Sequence, residues 1–441
     1  MSSQMEINWD DMQDKVTRTL QDLIRFDTTN PPGDETPCAE YVRDRLTGEG
    51  IEATVLESAP GRGNVVARIG GDGSERPLLL MSHIDVVPAE FERWTHSPFA
   101  AEIHDGYLWG RGALDTKCLT AVQLEIILLL KRLRVPLKRD VILAATADEE
   151  AGGTYGMGWL VENHFDLIEA EYGINEGGGA GLQIGDRRLF LCQTAEKGAC
   201  PIRVRASGKA GHASRPTDDM AVAKLVTALD RLVRKRLPYH LVSTVEATIR
   251  AFSQAMPSPM NEAILGLLDP EQEAQILENM IDVGFATLIK ASLHNTATPT
   301  ILRAGTKTNV IPSAAEAILD CRVLPGQKAD DLVGELRAIL GDEVDIEVMR
   351  ASSGTESAYQ TPFFEIITQV MAEVEPGSLV VPYMLPAVTD APKVAKKGIK
   401  VYGFFPTKSI PGETPGFELT HGHDERISLS LSSENVTLTV Q

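Results

Sequence analysis

Three apolar runs in this chain each stop on ionisable side chains. "PLLLMSHID" ends with His83 and Asp85, "VILAATADEE" with Asp148, Glu149 and Glu150, and "YGINE" with Glu176. Short apolar runs bounded in this way read as buried strands, and a charge at the end of a buried strand is costly unless something compensates it. Helical patterns fall between the runs, among them one from about 116 to 133. Strand and helix in alternation predict a mixed, mostly parallel sheet with helices on both faces. Ligands of such sheets bind at the carboxyl ends of the strands. The ionisable groups, together with Asp115 of "GRGALDTK", are therefore expected to meet in one crevice.

Carboxylates gathered at close range raise one another's pKa and do not all stay ionised unless cations offset their repulsion. A pair of divalent metals resolves this. Histidine nitrogen with carboxylate oxygen and no thiolate suits catalytic zinc, with cobalt or manganese as substitutes. Two adjacent glutamates, Glu149 and Glu150, also allow one to bind metal while the other handles protons. A single histidine or acidic pair at a strand end would more often be structural or solvated, so the weight of this reading lies in convergence. The glycine-rich stretches "GRGNVV", "GRGALD" and "NEGGGAG" lack the spacing of phosphate-binding loops and read as turns that let the backbone come close to the site.

At 441 residues the chain exceeds one ordinary core, so more than one domain is expected. Asp10 is placed to cap a first helix with Met12, Val16, Leu20, Leu23 and Ile24 on one face, and "NPPG" at 30–33 to end it. From Cys200 the order becomes β-α-β-β-α-β, the pattern of a ferredoxin-like sandwich. Its first helix carries the apolar positions Val222, Leu225, Val226, Leu229 and Val233. The expected organisation is a first domain over 1–198 and 354–441, interrupted at 199–353 by a ferredoxin-like α+β domain with a helical insertion at about 237–298.

The formal charge of −20 argues against nucleic-acid or anionic-membrane partners. No apolar run approaches the roughly 20 residues that span a bilayer. The first residues lack the basic and apolar regions of a signal peptide. Five cysteines, an odd number with no close pair, suit buried thiols in a reducing cytoplasm and receive no metal role.

The segments "SHIDVVP", "WGRGALDTK", "ADEEAGG", "NEGG", "GKAGHAS", "TNVIP", "DCRVLPG" and "HGHDERI" occur in the order expected of the M20 metallopeptidase and aminoacylase family, which the chain resembles over almost its whole length. The resemblance implies that the first domain is a zinc-peptidase-like catalytic domain holding two zinc ions and that the ferredoxin-like domain is its lid. Asp115 would bridge them, with His83 and Glu176 completing one site and Glu150 and a C-terminal histidine the other. Of His421 and His423, the family's H-x-x-[ND]-E pattern selects His421. Asp85 matches the carboxylate that orients the histidine ligand. Glu149 matches the general base, which takes a proton from a water bridging the metals.

His212 would stabilise developing negative charge from the lid of a second subunit, which implies a homodimer. Arg322 and Asn309 would hold the substrate's carboxylate and carbonyl. The resemblance also implies a cis peptide between Asp115 and Thr116. It suggests hydrolysis of amide bonds in small peptides or N-acyl amino acids, with ureido or carbamoyl compounds, or a non-catalytic binding role on the same fold, as alternatives. The chain departs from the family in "LPAVTDAPKVAKKG". Thr389 and Asp390 are present, but Ala387 and Val388 replace small glycines and Pro392 stands near an expected arginine. The tail "SLSLSSENVTLTVQ" has β-branched residues where the family has a long helix.

Overall fold

A computed structural model describes residues 7–185, 187–280, 283–408 and 416–429. The chain divides into two compact units. One comprises 1–192, 360–380 and 389–441, and the other 193–359 and 381–388. The odd tail lies, from residue 430, outside the described residues.

The sheet of the first unit runs in the order Ala53–Glu57, Gly63–Ile69, Val141–Thr146, Leu78–His83, Tyr172–Asn175, Lys400–Gly403, then continues through Arg187–Glu196. From Val141–Thr146 to Lys400–Gly403 neighbouring strands are parallel, and Gly63–Ile69 pairs antiparallel on both sides. Side chains of a strand alternate between faces, so an unbroken apolar run requires cover on both. Leu80 packs into a cluster with Leu124 and Leu128 of helix Lys117–Leu133 and with Leu20 and Leu23 of helix Trp9–Ile24. Leu79 and Met81 face the opposite way, into a cluster with Met157, Leu160 and Val394. Each such side chain, fully buried, contributes about 1.5–3 kcal/mol. The strand end that carries His83 is therefore anchored from both faces.

The first helix begins one residue earlier than its expected cap. Asn8, not Asp10, occupies the cap, accepting the Asp11 N–H at 3.2 Å, and Asp10 lies in the first turn, where its charge favours the helix dipole. The helix also stops at Ile24, well before "NPPG", whose bonds Asn30–Pro31 and Pro31–Pro32 are both cis.

In the second unit an antiparallel sheet is ordered Thr296–Ala304, Ala314–Val323, Ile202–Ser207, Asp345–Val348. Helices Ala221–Arg234 and Ala329–Leu340 share a core with it, in which Leu225, Leu229, Leu332 and Leu336 meet Val204, Ala317 and Leu319. That is the ferredoxin-like order. Between its first helix and Thr296–Ala304 stand the helices Ser243–Ala255, Met260–Gly266, Glu273–Asn279 and Val283–Leu293. The apolar stripe expected on helix Ala221–Arg234 splits. Leu225 and Leu229 are buried, but Val222, Val226 and Val233 are exposed. The helix is apolar over a wider arc than its own core covers.

Candidate metal centre

His83 closes strand Leu78–His83 with its ring buried. Nδ1 lies 2.9 Å from the main-chain oxygen of Asp85 and 3.4 Å from its Oδ1. A carbonyl oxygen only accepts, so Nδ1 carries the proton in that bond and Nε2 is the nitrogen with a lone pair to offer. Nε2 in turn lies 3.2 Å from Asp115 Oδ1 and 3.6 Å from Glu176 Oε1. The ring is thus oriented first by the Asp85 carbonyl, with the carboxylate further off. That carboxylate instead accepts the main-chain N–H of Glu149 on Oδ1 at 3.0 Å and of Glu150 on Oδ2 at 3.2 Å.

The other oxygen of Asp115, Oδ2, is 3.0 Å from His421 Nε2, which is itself 3.1 Å from Glu150 Oε2. Asp115 therefore stands between two histidines, each with its own glutamate beyond. The peptide from Asp115 to Thr116 is cis. Ligand atoms of His83, Asp115 and Glu150, and again those of His83, Glu149 and Glu176, lie within 4.8 Å of one another. His423 points elsewhere, 4.0 Å from Glu90.

The electrostatics are those of a crowded anionic pocket. Burial, followed by the charges of Glu176, Asp390 and Glu150, pushes the Glu149 carboxyl well above its usual range despite the pull of His83. Burial likewise raises Glu176, to about 7, with Asp115 and Glu150 adding to it. His421 is raised to about 10 by its hydrogen bonds to Asp115 and Glu150. Burial works against charge on Asp115 too, but its bonds to His421 and His83 outweigh it and hold the carboxyl far below the normal range. Glu150 Oε1 is buried and has no hydrogen-bond partner among the described residues. A buried carboxylate oxygen in that state is expensive unless a cation meets it. Two imidazole nitrogens among acidic oxygens, one of them orphaned, fit divalent metal.

The sequence reading named Asp148 but not the bonds that hold it, nor the roles of Arg62, Asn30 and Glu425. Asp148, in left-handed backbone at φ 69°, accepts from Arg62 Nη2 at 2.6 Å, Asn30 Nδ2 at 3.2 Å and the Tyr155 N–H at 2.9 Å. Asn30 also donates to Asp85 at 2.8 Å. This buried set fixes the turn that aims Glu149 and Glu150. Arg62 belongs to "GRGNVV", whose glycines suggested a turn and drew attention from the arginine. Glu425 accepts the N–H groups of Gly112 at 3.2 Å, Leu114 at 2.7 Å and Asp115 at 3.0 Å. Gly112 has φ 87°, where a side chain would be strained, and a Cβ there would crowd Val86 and Lys117.

At the departure from the family pattern, Asp390 is buried. Its Oδ1 accepts from Lys393 Nζ at 2.7 Å, and Oδ2 lies 3.3 Å from Thr146 Oγ1. Thr389 Oγ1 accepts from Asn175 Nδ2 at 3.1 Å, next to Glu176.

His212, Asn309 and Arg322 belong to the second unit. His212 is exposed on the short strand Gly211–His212, which pairs with Val310–Ile311, so Asn309 lies beside it. The Ala213 N–H donates to the Asn309 carbonyl at 3.1 Å, and Ser214 Oγ is 2.7 Å from His212 Nδ1. Arg322 holds Asp320 with two bonds, of 2.8 and 3.1 Å.

Comparison with known proteins agrees with this architecture. Human N-fatty-acyl-amino acid synthase/hydrolase PM20D1 is 27% identical over 373 residues, covering 82% of this chain and 72% of that protein. Aminoacylase-1 of Sus scrofa is 26% identical over 434 residues, covering 96% and 93%. Among solved structures, the M20 family metallo-carboxypeptidase Sso-CP2 from Sulfolobus solfataricus superposes with a TM-score of 0.70 at 18% identity, over 96% of each chain. Residues 79–438 match Peptidase family M20/M25/M40. With that match over most of its length, the chain belongs to this family and is a hydrolase of amide bonds.

Proposed function

We propose that the chain is a dinuclear zinc hydrolase that cleaves the amide bond of a small peptide or an N-acyl amino acid beside a free carboxylate. The observation that carries this reading is the placement of Asp115, with Oδ1 toward His83 and Oδ2 toward His421. His83 and Glu176 would hold one ion, His421 and Glu150 the other, and Asp115 both. Cobalt or manganese would suit the same donors. A solved relative, the Bacillus subtilis YXEP protein, is described as a dinuclear metal binding peptidase. When bound, the two cations acidify water and polarise a carbonyl.

The chain's own residues do the rest. Asp85 fixes the Glu149–Glu150 turn through its two accepted N–H bonds. Glu149, the carboxylate left over from binding metal, takes a proton from water and returns it to the leaving amine. Its place on that turn, next to Glu150, supports that role. His212 and Asn309 would donate to the carbonyl oxygen as charge builds there, and Arg322 would grip the substrate carboxylate.

His212 acts from a second subunit in this reading, so the enzyme is a homodimer through the ferredoxin-like unit. The exposed edge strand Thr296–Ala304, with Leu302, and the exposed Val226 and Val233 support such a face. The five cysteines are free and buried, which fits the cytoplasm. Among the described residues no helix is long and apolar enough to cross a membrane.

The test is Glu149→Gln in purified, zinc-loaded protein assayed on dipeptides and on N-acetyl, N-succinyl and long-chain N-acyl amino acids. Turnover falls by about 100-fold or more while metal content stays near two ions per chain. Retained turnover would remove the mechanism, and loss of metal would reassign Glu149 as a ligand.

A further inference from the structure

A second group of ligand-type side chains lies outside the centre described above. His96, Glu102 and His104 bring their ligand atoms within 4.8 Å of one another. Glu102 Oε2 is 2.9 Å from His104 Nε2 and 3.5 Å from His96 Nδ1. The two imidazoles stack, with centroids 3.8 Å apart and planes inclined by 9°, so both present a nitrogen to the same carboxylate oxygen.

The local fold explains the convergence. Glu102 and His104 are two apart on an extended segment leading into strand Ile103–His104, and so share a face. His96 is held over them by Trp109, whose ring meets it edge-on at 4.7 Å. Trp109 also carries the Arg426 guanidinium over its ring at 4.6 Å.

The geometry points to a separate surface site for one late first-row divalent cation, Ni²⁺, Cu²⁺ or Zn²⁺, held by His96, Glu102 and His104. Imidazole and carboxylate ligands at about 2.1 Å around one tetrahedral ion stand about 3.4 Å apart. The 2.9 and 3.5 Å separations bracket that value, and the two rings, parallel in the stack, must each turn out of it about their side-chain bonds to aim a lone pair at the shared ion. Side-chain exposures of 24% for His96, 50% for Glu102 and 41% for His104 leave the remaining coordination positions open to water. Two imidazoles favour nickel, copper and zinc over magnesium or calcium.

The cluster adjoins the segment that follows His421. Thr95, next to His96, donates both its N–H and its hydroxyl to the Asp424 carboxylate, at 2.6 and 2.8 Å. Strand Tyr107–Trp109, the hairpin partner of Ile103–His104, pairs with Arg426–Ser428. The segment that follows His421 is thus tied to the cluster at two points.

The test uses full-length protein loaded with zinc, passed through gel filtration, and titrated with Ni²⁺ by calorimetry. In parallel, Cu²⁺ binding is followed by electron paramagnetic resonance. Wild type takes up one further ion per chain, and the copper spectrum carries nitrogen coupling from two imidazoles. His96→Ala and His104→Ala each weaken uptake by at least about tenfold, since loss of a ligand exceeds loss of a group that merely supports one. Their tightly held zinc remains at the wild-type level. Glu102→Gln, which keeps the shape of the cluster, weakens it too. Absence of a further ion in wild type, or isotherms of the variants that overlay it, would reduce the cluster to a hydrogen-bonded pair of imidazoles on a carboxylate.

Discussion

Arg111 Nη1 donates to Glu425 Oε2 at 2.7 Å, and both side chains are buried. Arg111 also donates to the Gly422 carbonyl at 2.9 Å, while Glu425 gathers the N–H groups of Gly112, Leu114 and Asp115. One ion pair thereby sets the loop that presents Asp115 and the turn that presents His421.

Glu425→Ala leaves the Arg111 guanidinium buried without its counter-charge and three main-chain donors without their acceptor. Removing one partner of a buried pair costs about 3–5 kcal/mol. Urea denaturation of metal-free protein should show that loss, accompanied by weaker zinc retention in the folded enzyme. A loss under about 1 kcal/mol would mean that the pair contributes little to the loop.

Stripping divalent cations with a chelator returns Asp115, Glu149, Glu150 and Glu176 to mutual repulsion. Zinc at a thousandfold excess over its dissociation constant stabilises the native state by about 4 kcal/mol. The melting temperature of chelated protein should fall, and zinc should restore it together with amide hydrolysis. An unchanged melting curve would count against a resident metal.

Lys197 is fully buried, its Nζ donates to the His294 carbonyl at 2.7 Å, and burial lowers its pKa to about 7. In the unfolded chain the same amine titrates near 10.5, so between about pH 7 and 10.5 the unfolded state binds more protons and stability rises with pH. This contribution is complete above 10.5 and lost as the pH falls through 7. Lys197→Met should abolish a slope of up to about 1.4 kcal/mol per pH unit in that window. Denaturation midpoints of the two proteins at pH 7, 8 and 9 measure it, and parallel profiles would show that Lys197 stays protonated.

Val226→Asp and Leu302→Asp put charge on the exposed apolar positions of the ferredoxin-like unit. If the homodimer forms through that face, sedimentation should show monomers for either variant and dimers for the parent, with turnover lost alongside. A monomeric parent that is fully active would remove the second-subunit role of His212.

Much of this architecture was readable from apolar runs ending in charge, because a buried strand end is the place where an ionisable group needs a reason to be there. The gathering of His83, Asp115, Glu150, Glu176 and His421 is what those strand ends and the family motifs predict. Arg62 and Asn30 carry no such signal, since their importance lies in hydrogen bonds across long stretches of chain that no local pattern records, and the family pattern that holds Glu425 says nothing of the amides it gathers. The cap at Asn8 was missed for a different reason. Asn and Asp are nearly equivalent as caps, and a choice between neighbouring positions rests on where packing begins the helix. The exposed valines of Ala221–Arg234 show that periodicity reports an apolar face without saying what covers it.

The dependence of the Asp115 loop on Glu425 has a biosynthetic consequence. Nascent chain just short of residue 425 already holds every described strand of the central sheet, yet the loop that carries Asp115 has no acceptor for its amides. Translation that stops early would release a polypeptide in which Arg111 lacks its counter-charge and the Asp115 loop its anchor.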